Sequence, residues 1–195
     1  MSRRGIAVDK GLILDAAERI FFLRGVSATS LEAVAAAAGV TRPTIYRNIG
    51  NRDALLLAVL VRLTERFLER LKPRLLAAED LPEAIVLLIE TTAMSASRDE
   101  LNLIFGAEDE GQTGLPIPGV LAPLSELFGR VLKEMEEHLP GTLRSGVDYK
   151  EAGEWIIRLA ISFTTIEVAP PHSSAKSKRL IRTYALPALV FVPEH

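Results

Sequence analysis

Arg42, Thr44, Tyr46, Arg47 and Asn48 crowd two turns of sequence near the N-terminus. Guanidinium and carboxamide groups can pair bidentately with purine edges in a major groove, while hydroxyls and helix N-terminal N–H groups bind phosphate oxygens. Ile45 and Ile49, four apart, point the other way, so the five polar groups share the outer face of a short helix. What must position them is the stretch Thr29 to Ile49, TSLEAVAAAAGVTRPTIYRNI. Thr29 followed three residues later by Glu32 has the spacing of a reciprocal capping box. Leu31, Val34 and Ala35 fall on one helical face, and Ala35 to Ala38 is a strong helix-forming run. Gly39 can take the left-handed conformation that ends a helix, and Val40 can plug the corner. Thr41 offers a second N-cap, with Pro43 in the first turn, where a missing N–H costs nothing. The pattern predicts a helix-turn-helix; an ordinary surface helical hairpin shares much of it.

A preceding helix, Asp9–Arg24, carries Ile13, Ala17, Ile20 and Phe21 at helical spacing and stops at Gly25. With Leu31, Val34, Val40, Ile45 and Ile49 it would close a three-helix core. Helix, Gly25, the stretch above and Asn51-Arg52-Asp53-Ala54-Leu55 together resemble the DNA-binding domain of the tetracycline-repressor (TetR) family of bacterial transcriptional regulators. The resemblance covers about the first 60 residues. Thr44, Tyr46 and a cation at Arg52 keep the family pattern, whereas Arg47-Asn48 and Ile49 depart from it and leave the DNA sequence preference open. The candidate DNA-facing residues are Thr29, Ser30, Thr41, Arg42, Pro43, Thr44, Tyr46, Arg47, Asn48 and Arg52. Arg52 opens a further helix, where the dipole disfavours a cation. A phosphate from outside would answer that charge, and Asp53 next door is the simpler answer.

Composition narrows the class. Of 195 residues 48% are apolar, enough for a substantial core. Net charge is −2, but residues 1–50 hold seven basic against four acidic side chains, and the remainder holds 16 against 21. A basic end on an acidic body suits a chain that meets phosphate at one end. Arg3 and Arg4 could extend this as a minor-groove arm or simply be solvated. Cysteine is absent, which excludes disulfides, thiolate catalysis and Cys-ligated zinc and fits a reducing cytosol. No apolar run approaches the roughly 18 residues that span a bilayer, and no signal peptide is expected. His138, His172 and His195 have no ligand spacing, and neither a nucleophile elbow nor a phosphate-binding loop occurs. Glu108-Asp109-Glu110 lacks metal-loop spacing, and Glu136-Glu137 reads as solvated surface. No catalytic constellation emerges, and no enzyme activity, cofactor or metal is expected.

Beyond residue 52 the periodicity predicts helices at Arg52–Leu71, ended by Pro73, then Leu81–Ala96, Arg98–Gly106, Val120–Leu139 and Val147–Ile166. A last helix, Ser174–Val192, should kink at Pro187. Gly106–Gly119 is a loop, and Glu90 falls among apolar neighbours. Met94, Phe105, Phe128, Met135, Trp155, Leu159 and Phe163 could line a cavity for a small ligand, and they would serve equally as packed core. The family resemblance implies an effector site in this body. The last two helices end the chain with apolar stripes, and helix-turn-helix proteins commonly read two half-sites as dimers. Their candidate interface residues are Ile156, Leu180, Ile181, Tyr184, Ala188 and Phe191.

The sequence therefore predicts an all-α chain. Residues 1–52 form a three-helix DNA-binding domain with its motif at about 29–49, and residues 53–195 a larger helical ligand-binding and dimerisation domain. The expected function is a cytoplasmic, homodimeric, DNA-binding transcriptional regulator, a repressor released from a double-stranded operator by a small, mainly apolar effector. The alternative is a helical small-molecule carrier in which the helix-turn-helix is only structural.

Overall fold

The computed structural model describes residues 9–98, 119–165 and 174–191. Arg3, Arg4, Phe105 and most of both the Arg98–Gly106 helix and the Gly106–Gly119 loop lie outside them. The elements are α1 (Lys10–Arg24), α2 (Leu31–Ala38), α3 (Arg42–Asn48), α4 (Arg52–Leu75), α5 (Leu81–Arg98), α6 (Leu121–His138), α7 (Tyr149–Thr165) and α8 (Ser174–Leu180). A π-helical turn, Ile181–Ala185, then leads into α9 (Leu186–Leu189). The fold is all-α, and among the described residues the sole strand-like pairing is one bridge between Leu143 and Val190.

Local chemistry sets the first three helices. Asp9 caps α1 by accepting the Gly11 N–H at 2.9 Å, and α1 buries Ile13, Ala16, Ala17 and Phe21. The N-cap of α2 is Ser30, whose Oγ accepts the Ala33 N–H at 3.2 Å. Thr29, the expected cap, turns inward instead. It is 3% exposed and its hydroxyl donates to the Gly25 carbonyl at 2.7 Å, because a buried hydroxyl must find an acceptor. Gly39 takes the left-handed conformation (φ 66°, ψ 28°), and the Val40 N–H reaches back to the Ala35 carbonyl at 3.0 Å, closing the helix end. Thr41 precedes α3, but its hydroxyl lies 2.9 Å from that of Thr44 and caps no backbone N–H. Ile45 is fully buried and pins α3 to the core.

Asn51 caps α4 by accepting the Ala54 N–H at 2.8 Å. The helix does not stop before Pro73 but runs on to Leu75. Proline there deprives only the Glu69 carbonyl of its partner, and buried Leu71 and Leu75 hold the extra turn in place. α4 packs on α1, which it meets through Arg62 and Arg66 in its middle, and also on α5 and α6, so it joins the first helices to the rest. α6 and α7 make the closest helix contact. A Cβ on Gly129 would lie 2.7 Å from the Tyr149 carbonyl oxygen, and one on Gly153 would overlap the Ser125 carbonyl.

The final helix is shorter than expected, ending at Leu189 rather than Val192. Its irregularity precedes Pro187: the Leu186 N–H bonds to Ile181, one residue further back than in an α-helix. Pro187 has no N–H to offer the preceding turn, and the widened π turn absorbs the loss. Arg144 then ties the chain end down, its backbone N–H donating to Leu189 at 2.8 Å and its guanidinium to Pro187 at 2.7 Å. No helix among the described residues is long and apolar enough to cross a membrane.

Candidate nucleic-acid interface

The expected outer face of α3 forms. Arg42, Pro43, Tyr46 and Arg47 are exposed, as are Ser30 and Thr41 beside them, while Thr44, Asn48 and Arg52 are half-buried. Buried Ile45 orients this face, since its side chain points one way and those of its neighbours the other. A groove of about 460 Å³ opens between α2, α3 and the start of α4, its walls including Ser30, Glu32, Arg42, Tyr46 and Arg52.

Three of these groups interlock. The Arg42 guanidinium pairs with Glu32 at 2.5 Å, donates to the Tyr46 hydroxyl at 3.1 Å and sits 5.4 Å from the Tyr46 ring centre. The Glu32 carboxyl is held below the usual carboxylate range, first by its own backbone N–H and then by Arg42, so it is ionised at neutral pH. From the sequence Glu32 reads only as a capping residue; its pairing with Arg42 arises because the turn folds α3 back against α2. Asn48 donates its amide to the Thr44 carbonyl at 2.7 Å, which bends this side chain back along its own helix.

Arg52 has a part that charge alone does not suggest. Its Nε and Nη2 donate to the carbonyls of Thr29 and Val26, at 3.3 and 2.5 Å, across the loop between α1 and α2. Thr29 itself presents no side chain outward, so of the ten candidates its hydroxyl is removed from the face. Behind the face, α1 is clasped to α4. Arg62 pairs with Asp15 and with Glu18, the latter at 3.4 Å, and Arg66 pairs with Glu18 at 2.6 Å.

Residues 13–59 match the family model of bacterial regulatory proteins, tetR family. Over 185 residues the chain is 28% identical to an uncharacterised HTH-type transcriptional regulator of Mycobacterium tuberculosis, spanning 95% of this chain and 86% of that one. Over residues 13–59 the chain therefore carries a DNA-binding domain of the tetR type. It is a DNA-binding transcriptional regulator, and its helix-turn-helix lies within the matched stretch. The whole fold is also similar to that of AlkX, a TetR family repressor from a Dietzia strain implicated in biodegradation of n-alkanes, with a TM-score of 0.60 and 22% identity over 96% of this chain and 98% of that one. Thermus thermophilus FadR, a TetR-family transcriptional repressor solved with lauroyl-CoA, aligns with a TM-score of 0.58 and 23% identity over 96% and 97% of the two chains.

In the body of the chain the candidate pocket residues take different places. Phe128 and Met135 are sealed in the core, Leu159 and Phe163 are half-buried, and Met94 and Trp155 face outward. The candidate interface residues also divide. Ile156 and Ile181 are buried within the single chain and are withdrawn as interface residues, because α5 and α6 pack on α7 and α5 packs on the π turn that holds Ile181. Leu180 is half-buried, and Tyr184, Ala188 and Phe191 remain exposed. Glu136, expected on the solvated surface, instead ties the α6–α7 connection, accepting the Leu143 N–H at 2.8 Å and the Tyr149 hydroxyl at 2.6 Å. Glu90 is nearly covered on α5 and lies 3.5 Å from Lys178 of α8. Among the described residues no cluster of acids and histidines is able to hold a metal ion.

Proposed function

We propose that the chain is a homodimeric repressor that docks α3 of each copy in a major groove of a double-stranded operator and leaves it when a small, mainly apolar effector enters the body. The observation that carries the DNA half is the outer face of α3, where Arg42, Tyr46 and Arg47 stand exposed around buried Ile45. In this reading residues 1–52 read DNA, and residues 53–195 bind the effector and dimerise. The long helix α4 joins the two parts, with the Arg62 and Arg66 pairs holding it to α1. Support for an apolar effector comes from the similar fold of the FadR repressor solved with lauroyl-CoA. Support for the dimer comes from Trp155, Tyr184 and Phe191, large side chains left exposed near the end of the chain.

Selection of bound duplexes from a random library, followed by titration of the winner against a scrambled duplex at several salt concentrations, tests the DNA half. A salt-dependent preference for the selected duplex is expected. A carrier protein would select nothing. Acyl-CoA or a free fatty acid added to the complex should weaken DNA binding and change the fluorescence of Trp155, the chain's single tryptophan.

A further inference from the structure

Of the two arginines lining the groove, Arg52 donates to backbone carbonyls that stay in place whatever binds outside. Arg42 is different: its partners are a carboxylate and a phenol, both on the exposed face. A carboxylate and a phosphate diester offer a guanidinium the same kind of charged oxygen acceptor. Glu32 therefore occupies Arg42 with an internal stand-in for phosphate. Both side chains are more than half exposed, 53% for Arg42 and 56% for Glu32, so the pair is weak and exchangeable. The exchange is not free of consequence. If Arg42 turns to a phosphate, Glu32 is left ionised and unpaired beside a polyanion, with Asp53 a second acid on the same groove.

We propose that Glu32 is an internal competitor for Arg42: it holds the guanidinium against Tyr46 and away from phosphate, so that every DNA contact Arg42 makes costs this ion pair. The inference rests on the DNA-binding reading. Random DNA offers Arg42 little beyond phosphate oxygen, which only replaces what Glu32 already supplies. An operator with guanine at the right position offers two acceptors in the plane of the fork, and this bidentate pairing outweighs the carboxylate. Tyr46 contributes by its ring and hydroxyl, which keep the guanidinium near the groove rather than free in solvent. Glu32 thus acts as a brake on affinity: an operator that draws Arg42 away loses the whole ion pair, and random DNA loses no more than its own weaker contact is worth.

The test compares wild type, Glu32→Gln, Arg42→Ala and the double variant on the selected operator and on a scrambled duplex across a salt series. Glu32→Gln keeps the side-chain shape and removes the charge. It should tighten binding to the operator several-fold and to scrambled DNA by no more than that, so that the operator-to-scrambled ratio holds or rises. On scrambled DNA its salt slope should steepen by about 0.9 for each chain bound, the signature of one newly engaged phosphate. In the Arg42→Ala background the same substitution should leave both ratio and slope unchanged. A larger gain on scrambled DNA than on the operator would overturn the competition, as would a gain that survives Arg42→Ala. Glu32→Ala must give the same direction, and equal thermal midpoints exclude unfolding as the cause. A wild type that binds no duplex at any salt concentration would overturn the DNA-binding reading and the competition with it, an outcome distinct from the other two.

Discussion

The Arg52 guanidinium bridges the carbonyls of Val26 and Thr29 and so locks the loop between α1 and α2 to the first turn of α4. Removing it leaves two partly buried acceptors to find water. Arg52→Ala should therefore destabilise the helix-turn-helix by on the order of 1–3 kcal/mol, visible as a lower denaturation midpoint. If Arg52 also meets phosphate, the salt slope should become shallower by about 0.9 per chain; an unchanged slope assigns it to the loop alone. Tyr149 makes a pH prediction. Its hydrogen bond to Glu136 first, and burial second, raise the phenol above its ordinary value of 10.0. The folded state thus holds this proton more tightly than the unfolded chain does. The stabilisation is fully present below pH about 10 and is lost as pH rises through the raised folded value. Denaturant midpoints measured from neutral pH into alkali should fall more steeply for wild type than for Tyr149→Phe, and parallel curves would exclude the effect.

Two glycines govern the pairing of α6 with α7. Backbone fills the space beside each: the Tyr149 carbonyl carbon lies 2.9 Å from where a Gly129 Cβ would sit, and the Gly129 nitrogen 2.8 Å from a Gly153 Cβ. A side chain at either position forces the helices apart. Gly153→Ala should gain slightly from helix propensity and lose more from overpacking, a net cost on the order of 1–3 kcal/mol. Calorimetry should show the lower midpoint. An Ala variant as stable as wild type would mean that the crossing is looser than the structure has it. The strain would lie in the body, so operator affinity at low temperature should hardly change.

At the scale of the molecule, residues 1–50 carry seven basic and four acidic side chains, and the rest, with 16 basic and 21 acidic, still exposes apolar rings. Tyr184 is 75% exposed and Phe191 68%, the latter with the Arg144 guanidinium 5.6 Å from its ring centre. Single exposed rings are common, but these two and Trp155 fall on the last elements of the chain, where the dimer is proposed. Tyr184→Glu should leave the chain folded, since the side chain touches little of its own core, and should shift sedimentation from dimer to monomer. Operator affinity should fall with it, because one chain reads one half-site. An unchanged dimer would move the interface to another face.

The sequence by itself determined what depends on neighbours a few residues away. The helical periods, the left-handed stop at Gly39, the inward Ile45 and the outward Arg42, Tyr46 and Arg47 all follow from spacing and backbone sterics, which act within a turn or two. Even the resemblance to the tetR family model was legible, because the matched stretch is contiguous. Tertiary structure decided everything that depends on which surface meets which. Thr29 or Ser30 as cap turns on where the Gly25 carbonyl lies, and Arg52 finds its acceptors 23 and 26 residues away. An apolar stripe says that a face is covered but not by what, since burial of apolar area is non-directional. Ile156 and Ile181 are covered by their own chain for that reason, while Tyr184 on the same terminal segment is left outside.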